Sequence, residues 1–215
     1  MAACRWCGEP IPARVRRDAV HCSVRCRQAS WRFGVHAPGA AAAERSLRFG
    51  YADPPYPGRA GLYPERTEVD HRDLVVRLMR DTPDGWGLST SADALQRVLG
   101  VCPPGVRVSA WLRPVRRTRS ARALSSWEPL ILCGGRPLAT EAVQQVEDGL
   151  VYRGRYRALP GALIGMKPPQ FCVWLFEQLG ARPGDVLVDL YPGSGAVGRA
   201  WRRFAATEVR DVVGD

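Results

Sequence analysis

Asp185-Val186-Leu187-Val188-Asp189-Leu190 runs straight into Tyr191-Pro192-Gly193-Ser194-Gly195, and a helical pattern from Ala196 to Phe204 follows at once. A nearly all-apolar run ended by a glycine turn reads as a strand covered on both faces, as in a parallel sheet. The turn after such a strand lies beyond its carboxyl end, where open α/β sheets bind their ligands. Gly193 and Gly195 permit close backbone approach, and the free N–H groups at the start of the next helix suit a carboxylate. Taken alone, this Gly-x-Gly turn is equally compatible with a plain tight turn from strand to helix.

Working outward, Pro168 or Pro169 opens a helix whose Phe171, Trp174, Leu175 and Leu179 share a face, and Gly180 closes it. Leu47 to Ala52 is a short strand that ends in Asp53-Pro54-Pro55-Tyr56, where two prolines forbid continuation. Residues 70 to 81 place Leu74, Val75, Leu78 and Met79 on one helical face, with Asp70 available as a cap. Trp86 to Thr90 is another strand, and Ser91 can cap a helix bearing Leu95, Val98 and Leu99. Val106 to Leu112 and Trp127 to Cys133 read as two more strands. This alternation predicts an α/β fold, a mostly parallel sheet with helices on both sides. Residues 134 to 166 break the rhythm, with a short helix expected over Glu141 to Gly149. Tyr152, Arg153, Arg155, Tyr156 and Arg157 follow, and aromatics interleaved with arginines suit base stacking and phosphate contact, although a solvated loop fits as well.

Thirty-one basic residues against 21 acidic ones, a net charge of +10, favour a polyanionic partner such as nucleic acid. Lys167 is the only lysine in the chain. Residues 1 to 33 carry seven arginines against Glu9 and Asp18, half of the net charge, and Arg113, Arg116, Arg117, Arg119 and Arg122 form a second cluster with no acid among them. No run is long and apolar enough to span a bilayer, and no secretory leader opens the chain, so a cytoplasmic protein is expected. Seven cysteines in that setting argue for metal or free thiols rather than disulfides. Cys4-x2-Cys7 and Cys22-x3-Cys26 have the spacing of a tetrahedral zinc site, and a module this short needs metal for its stability. Four buried or free thiols are the bland alternative. Cys102, Cys133 and Cys172 lie among apolar neighbours and read as core. Residues 34 to 45, rich in alanine with Pro38 and Gly39, mark a linker between residues 1 to 33 and a larger domain over residues 46 to 215.

Asp53-Pro54-Pro55-Tyr56 carries the sharper chemistry. The lone pair of an aromatic amine is delocalised into its ring. A carboxylate and a proline carbonyl that both accept from the NH2 hold the nitrogen towards a pyramidal geometry and return that lone pair for attack on a sulfonium methyl. The carboxylate also stabilises the positive charge that develops on nitrogen. Tyr56 can stack on the base, which would have to flip out of a duplex to reach the site.

This motif resembles the catalytic motif of the amino-methyltransferases that make N6-methyladenine. Asp189-Leu190-Tyr191-Pro192-Gly193-Ser194-Gly195 resembles their cofactor motif, usually written D-x-F-x-G-S-G, with Tyr191 in the phenylalanine position. Lys167-Pro168 before a helix with Phe171 is similar to the segment that precedes the cofactor motif in the permuted beta group, and the order of all three motifs is that group's. The resemblance spans roughly residues 46 to 204 and implies a Rossmann-like methyltransferase sheet beside a small Cys4 zinc module.

By that resemblance Asp53, Pro54, Pro55 and Tyr56 bind and activate the target base. Lys167, Phe171, Asp189, Tyr191, Gly193, Ser194 and Gly195 surround S-adenosylmethionine (SAM). The acid for the cofactor ribose stays open among Glu208, Asp211 and Asp215. Residues 134 to 166 take the place of the target-recognition region, and Arg113, Arg116, Arg117, Arg119, Arg153 and Arg155 are the candidate nucleic-acid contacts. DNA is the expected partner, with RNA open, and adenine N6 the expected target, with cytosine N4 open. An inactive, zinc-dependent nucleic-acid-binding protein is the reading from another class.

Overall fold

The computed structural model describes residues 10–12, 19, 21–22, 45–113, 124–137, 145–152 and 166–206. The elements follow in the order β1 (Arg48–Ala52), α1 (His71–Asp81), β2 (Gly85–Ser89), α2 (Leu95–Leu99), β3 (Arg107–Leu112), β4 (Trp127–Gly134), β5 (Gly149–Val151), α3 (Pro169–Leu179), β6 (Val186–Asp189) and α4 (Ala196–Ala205). Among the described residues one six-stranded sheet holds every strand, in the order β5-β3-β4-β2-β1-β6. Among the described residues no helix is long and apolar enough to cross a membrane.

Side-chain alternation along the strands builds two cores, one on each face. Phe49, Tyr51, Leu130 and Leu132 face α3 and α4 and pack against Phe171, Leu175, Phe176 and Val197. Ala52, Trp86, Leu88 and Ile131 face the other way, towards Leu74, Val75 and Leu78 of α1 and Val98 of α2. The expected helices on both sides of a sheet are therefore present. Two glycines set the spacing. A Cβ on Gly87 would lie 2.8 Å from Leu175 Cδ1, and one on Gly50 would lie 2.5 Å from Thr82 Oγ1, so their absence lets helix and sheet close up.

Helix ends follow local chemistry. Asp70 Oδ1 accepts from the Arg72 and Asp73 amides at 2.8 and 3.2 Å and caps α1. Pro168 precedes α3 in an extended conformation, Pro169 opens it, and Gly180 ends it at φ 63°. Aromatic edges join α3 to α4, with Phe176 5.1 Å from Trp201 and 5.3 Å from Phe204.

Four expectations need correction, and a fifth, the direction of the strands, needs one refinement. The sheet is mostly parallel, as expected, and among the described strands only β4 runs against the others, antiparallel to both β2 and β3. The chain passes from β3 to β4 through an arginine-rich stretch without the apolar helical face that a parallel crossover uses. β6 is an edge strand, with Val186 42% exposed, so its apolar run does not mean cover on both faces. Of the helix expected over Glu141 to Gly149, residues 141–144 lie outside the described residues, residues 145–148 are not helical, and Gly149 starts β5. The Glu147 carbonyl accepts from both Trp174 Nε1 and Gln178 Nε2, and the Asp148 carbonyl from the Ala110 amide, so tertiary bonds take up carbonyls that a helix would have used. Ser91 does not cap α2, whose first residue follows Ala94 with no side-chain cap. Met79 is 44% exposed and leaves the apolar face of α1 to Leu74, Val75 and Leu78.

Candidate active site

β1 and β6 run side by side in parallel, with Tyr51 opposite Asp189 and the Leu190 amide donating to the Tyr51 carbonyl at 2.9 Å. Parallel neighbours end at the same rim, so the loop from Asp53 and the turn through Gly193 and Gly195 leave the sheet together. The two segments, far apart in sequence, meet because the strands that carry them pair.

Asp53 is the hub of the first segment. Its Oδ2 lies 2.7 Å from Lys167 Nζ, and its Oδ1 accepts from the Tyr56 hydroxyl at 3.2 Å. Lys167 is almost wholly buried, its ammonium 5.5 Å from the centre of the Trp111 ring and 5.7 Å from that of Phe171. Phe171 itself is buried among Tyr51, Trp111 and Trp174. A second carboxylate completes the cluster. Glu128 Oε2 accepts from the Tyr56 hydroxyl at 3.0 Å and lies 3.5 Å from Lys167 Nζ, while Oε1 forms an ion pair with Arg113 Nε at 2.9 Å. Two carboxylates thus face two cations, a balance that makes burial of four charges tolerable.

Burial pushes Asp53 above the usual carboxylate range, although Lys167 pulls the other way. Burial would lower Lys167, but Asp53 and Glu128 beside it prevail and hold the ammonium above an ordinary lysine. The Tyr56 phenol is pushed well up, first by burial and then by the charges of Asp53 and Glu128, so it stays protonated.

At the second segment, Gly193 and Gly195 adopt φ of 46° and 71°, conformations natural to glycine. Nothing comes nearer than 3.9 Å to where a Cβ of Gly193 would stand. α4 begins with neither a side-chain cap nor an acidic residue in its first turn, which leaves amide donors for an anion. Both Asp189 carboxylate oxygens are buried without a hydrogen-bond partner among the described residues. Burial pushes this carboxyl up to about 6; the nearby Tyr191 amide opposes the shift without reaching hydrogen-bond geometry, and the Asp53 charge adds to it. An orphaned carboxylate beside uncapped amides is a donor and acceptor set for a molecule with both an ammonium and a carboxylate. The residues fit the amino-acid end of SAM.

The structure brings Asp53, Tyr56, Lys167, Phe171, Asp189 and the glycine turn to one rim. Lys167 lies on Asp53, Phe171 lies beneath Lys167, and the half-buried Tyr191 packs on the opposite face, against the core of α1 and α2. Pro54 is buried and Pro55 half-buried beside them. Arg113, read as a nucleic-acid contact, is engaged with Glu128. Arg116, Arg117, Arg119, Arg153 and Arg155 lie outside the described residues, as do Cys4, Cys7 and Cys26 of the zinc spacing and Glu208, Asp211 and Asp215. Cys22 is described, and among the described residues no group of three or more His, Cys, Asp or Glu could hold a metal ion. Sequence reasoning missed Glu128 and Trp111. The available signal was an acid inside the otherwise apolar Trp127-Glu128-Pro129-Leu130-Ile131-Leu132.

No protein-family model matches the chain, and no curated protein matches it in sequence. Among solved structures, the M1.HpyAVI–SAM complex is similar with a TM-score of 0.50 at 12% identity, over 77% of this chain and 81% of that one. M1.HpyAVI itself gives 0.49 at 11% identity, over 77% and 80%. The likeness to the SAM complex is one of fold, and it covers the mixed α/β sheet described above.

Proposed function

We propose that this chain transfers a methyl group from SAM to the exocyclic amino group of a nucleobase, adenine N6 in DNA. The observation that carries the reading is the pairing of β1 with β6, which sets the Asp53 carboxylate beside the orphaned Asp189 and the glycine turn. Kinship of fold with a structure solved in complex with SAM supports it.

When bound, SAM supplies an electrophilic methyl on a sulfonium sulfur. Asp189 would hold its ammonium, and the amides after Gly193 would hold its carboxylate. Asp53 would accept a hydrogen bond from the target amine and stabilise positive charge growing on that nitrogen. Lys167 keeps Asp53 oriented through Oδ2 and leaves Oδ1 to other partners. Burial of the cluster strengthens each of these contacts by excluding water. The base must leave a duplex to reach Asp53. Net charge of +10 and the arginine stretches support a nucleic-acid substrate. Zinc at Cys4, Cys7, Cys22 and Cys26 and a cytoplasmic location belong to the same proposal, on the spacing and composition of the sequence.

The test is incubation of the protein with methyl-labelled SAM and, separately, DNA, RNA and protein. Label is expected in DNA, as N6-methyladenine, and Asp53→Ala should lower the rate by about a hundredfold or more. Label in RNA or at cytosine N4 would move the substrate assignment, and undiminished transfer by Asp53→Ala would remove Asp53 from the chemistry.

A further inference from the structure

Methylation leaves the acceptor nitrogen positively charged, and the proton it must then lose starts from a cluster of largely buried groups. We propose that Glu128 is the terminal acceptor of a proton relay that runs from Asp53 through the Tyr56 hydroxyl. The relay rests on amino-methyl transfer at Asp53.

Geometry divides each carboxylate into a held oxygen and a relay oxygen. Lys167 Nζ sits 2.7 Å from Asp53 Oδ2, and Oδ1 faces the Tyr56 hydroxyl at 3.2 Å. Arg113 Nε sits 2.9 Å from Glu128 Oε1, and Oε2 faces the same hydroxyl at 3.0 Å. A phenol carries one proton and can accept another, so it can donate to only one of two carboxylates at a time. Placed between two of them, the Tyr56 hydroxyl donates to one and accepts from the other as soon as that other is protonated. Such a site requires no movement of heavy atoms for a proton to cross it. Lys167, 3.5 Å from both the Tyr56 oxygen and Glu128 Oε2, keeps the three groups together.

The step balances as a pure proton transfer. The N–H bond of the methylated nitrogen breaks, its electron pair stays on nitrogen, and the proton joins Asp53 Oδ1. Asp53 then passes a proton to the Tyr56 oxygen while the phenol's own proton moves to Glu128 Oε2. Asp53 is again a carboxylate, Tyr56 again a phenol, and Glu128 a carboxylic acid. The Asp53 and Glu128 side chains are similarly exposed in the free protein, 19% and 16%; once SAM and the base are seated on Asp53, Glu128 is the end that keeps a path to water, and the proton leaves from there. Because the phenol resists ionisation so strongly, the two transfers at Tyr56 occur together rather than through a tyrosinate. Without the relay the proton stays on Asp53 until the product leaves and uncovers it, which slows the next catalytic cycle but not the one just finished.

The full-length protein is tested with duplex DNA and methyl-labelled SAM, following the first equivalent of product apart from later ones. Glu128→Gln, which cannot take up the proton, should form the first equivalent at nearly the wild-type rate. Its steady-state rate should then be lower by about tenfold or more. Tyr56→Phe keeps the ring and breaks the relay, so it should share the steady-state loss. Glu128→Ala should be slow too, but added formate, a small carboxylate able to enter the vacated space, should restore its turnover and leave Glu128→Gln unaffected. SAM affinity by calorimetry should be unchanged in all three, which separates the relay from damage to the fold.

Wild-type steady-state rates in Glu128→Gln or Tyr56→Phe overturn the relay and leave methyl transfer standing. Failure of formate to restore Glu128→Ala does the same. A wild-type protein that methylates no nucleic acid overturns both.

Discussion

Lys167, the chain's only lysine, is 3% exposed. A buried ammonium must be paired, and Asp53 and Glu128 pair it. Lys167→Met would leave those two carboxylates facing each other without their central cation. Breaking a buried pair in this way should cost about 3 kcal/mol at neutral pH. Asp53, which burial already holds above an ordinary aspartate, binds its proton preferentially in the folded state, so the variant should regain part of that loss as the pH falls. Urea denaturation at about pH 8 and about pH 5 checks both statements. Asp189 makes a second case. Its folded value of about 6 lies above the ordinary 3.8, so in the free protein its stability contribution declines as pH rises through that interval. Binding of an ammonium runs the other way, since it needs the carboxylate. SAM affinity should therefore fall as the pH drops below about 6, and Asp189→Asn should weaken binding and flatten that dependence in calorimetry. Asp53 and Asp189 could be read as site residues because each stood in a motif at a strand end. Glu128 could not, because its partners Tyr56, Arg113 and Lys167 come from separate parts of the chain and no spacing encodes their meeting.

Among elements, those with a strong local signature came through in the sequence. α3 has proline at its start, glycine at its end and apolar residues at helical spacing, and all three agree with the structure. β1 stops where two prolines begin. Residues 145–149, expected to be helical, are not, because their conformation is set from outside, by donors on α3 and by pairing with β3. The direction of β4 was hidden for a similar reason, since an apolar run looks alike in either direction. Gly87 shows how closely α3 seats on the sheet. Gly87→Val would push its side chain into Leu175 and Leu130, whose nearest methyls lie 2.8 and 3.2 Å from even the first added carbon. Overpacking of this kind should lower stability by about 1–3 kcal/mol, read from the urea midpoint, with the slope of the transition unchanged.

At the scale of the whole molecule, charge and cysteine spacing point beyond the sheet. The purified protein is expected to carry one zinc ion per chain by metal analysis, and Cys4→Ser or Cys22→Ser should abolish its retention. Since the Asp53 cluster and the glycine turn contain no cysteine, chelation should leave SAM binding intact while impairing whatever the N-terminal residues contribute to nucleic-acid affinity. The sequence by itself determined the strands and helices with strong local signatures, the two motif-bearing loops, and the positions of the strand ends that carry them. Those depend on backbone rules and side-chain periodicity, which act over a few residues. Only the tertiary structure decided which strands became neighbours, which ran antiparallel, and that a strand glutamate would close a charge-balanced cluster around Asp53. Pairing and charge burial are settled by what lies across a gap in space, and that information is distributed over the chain rather than written at any one place in it.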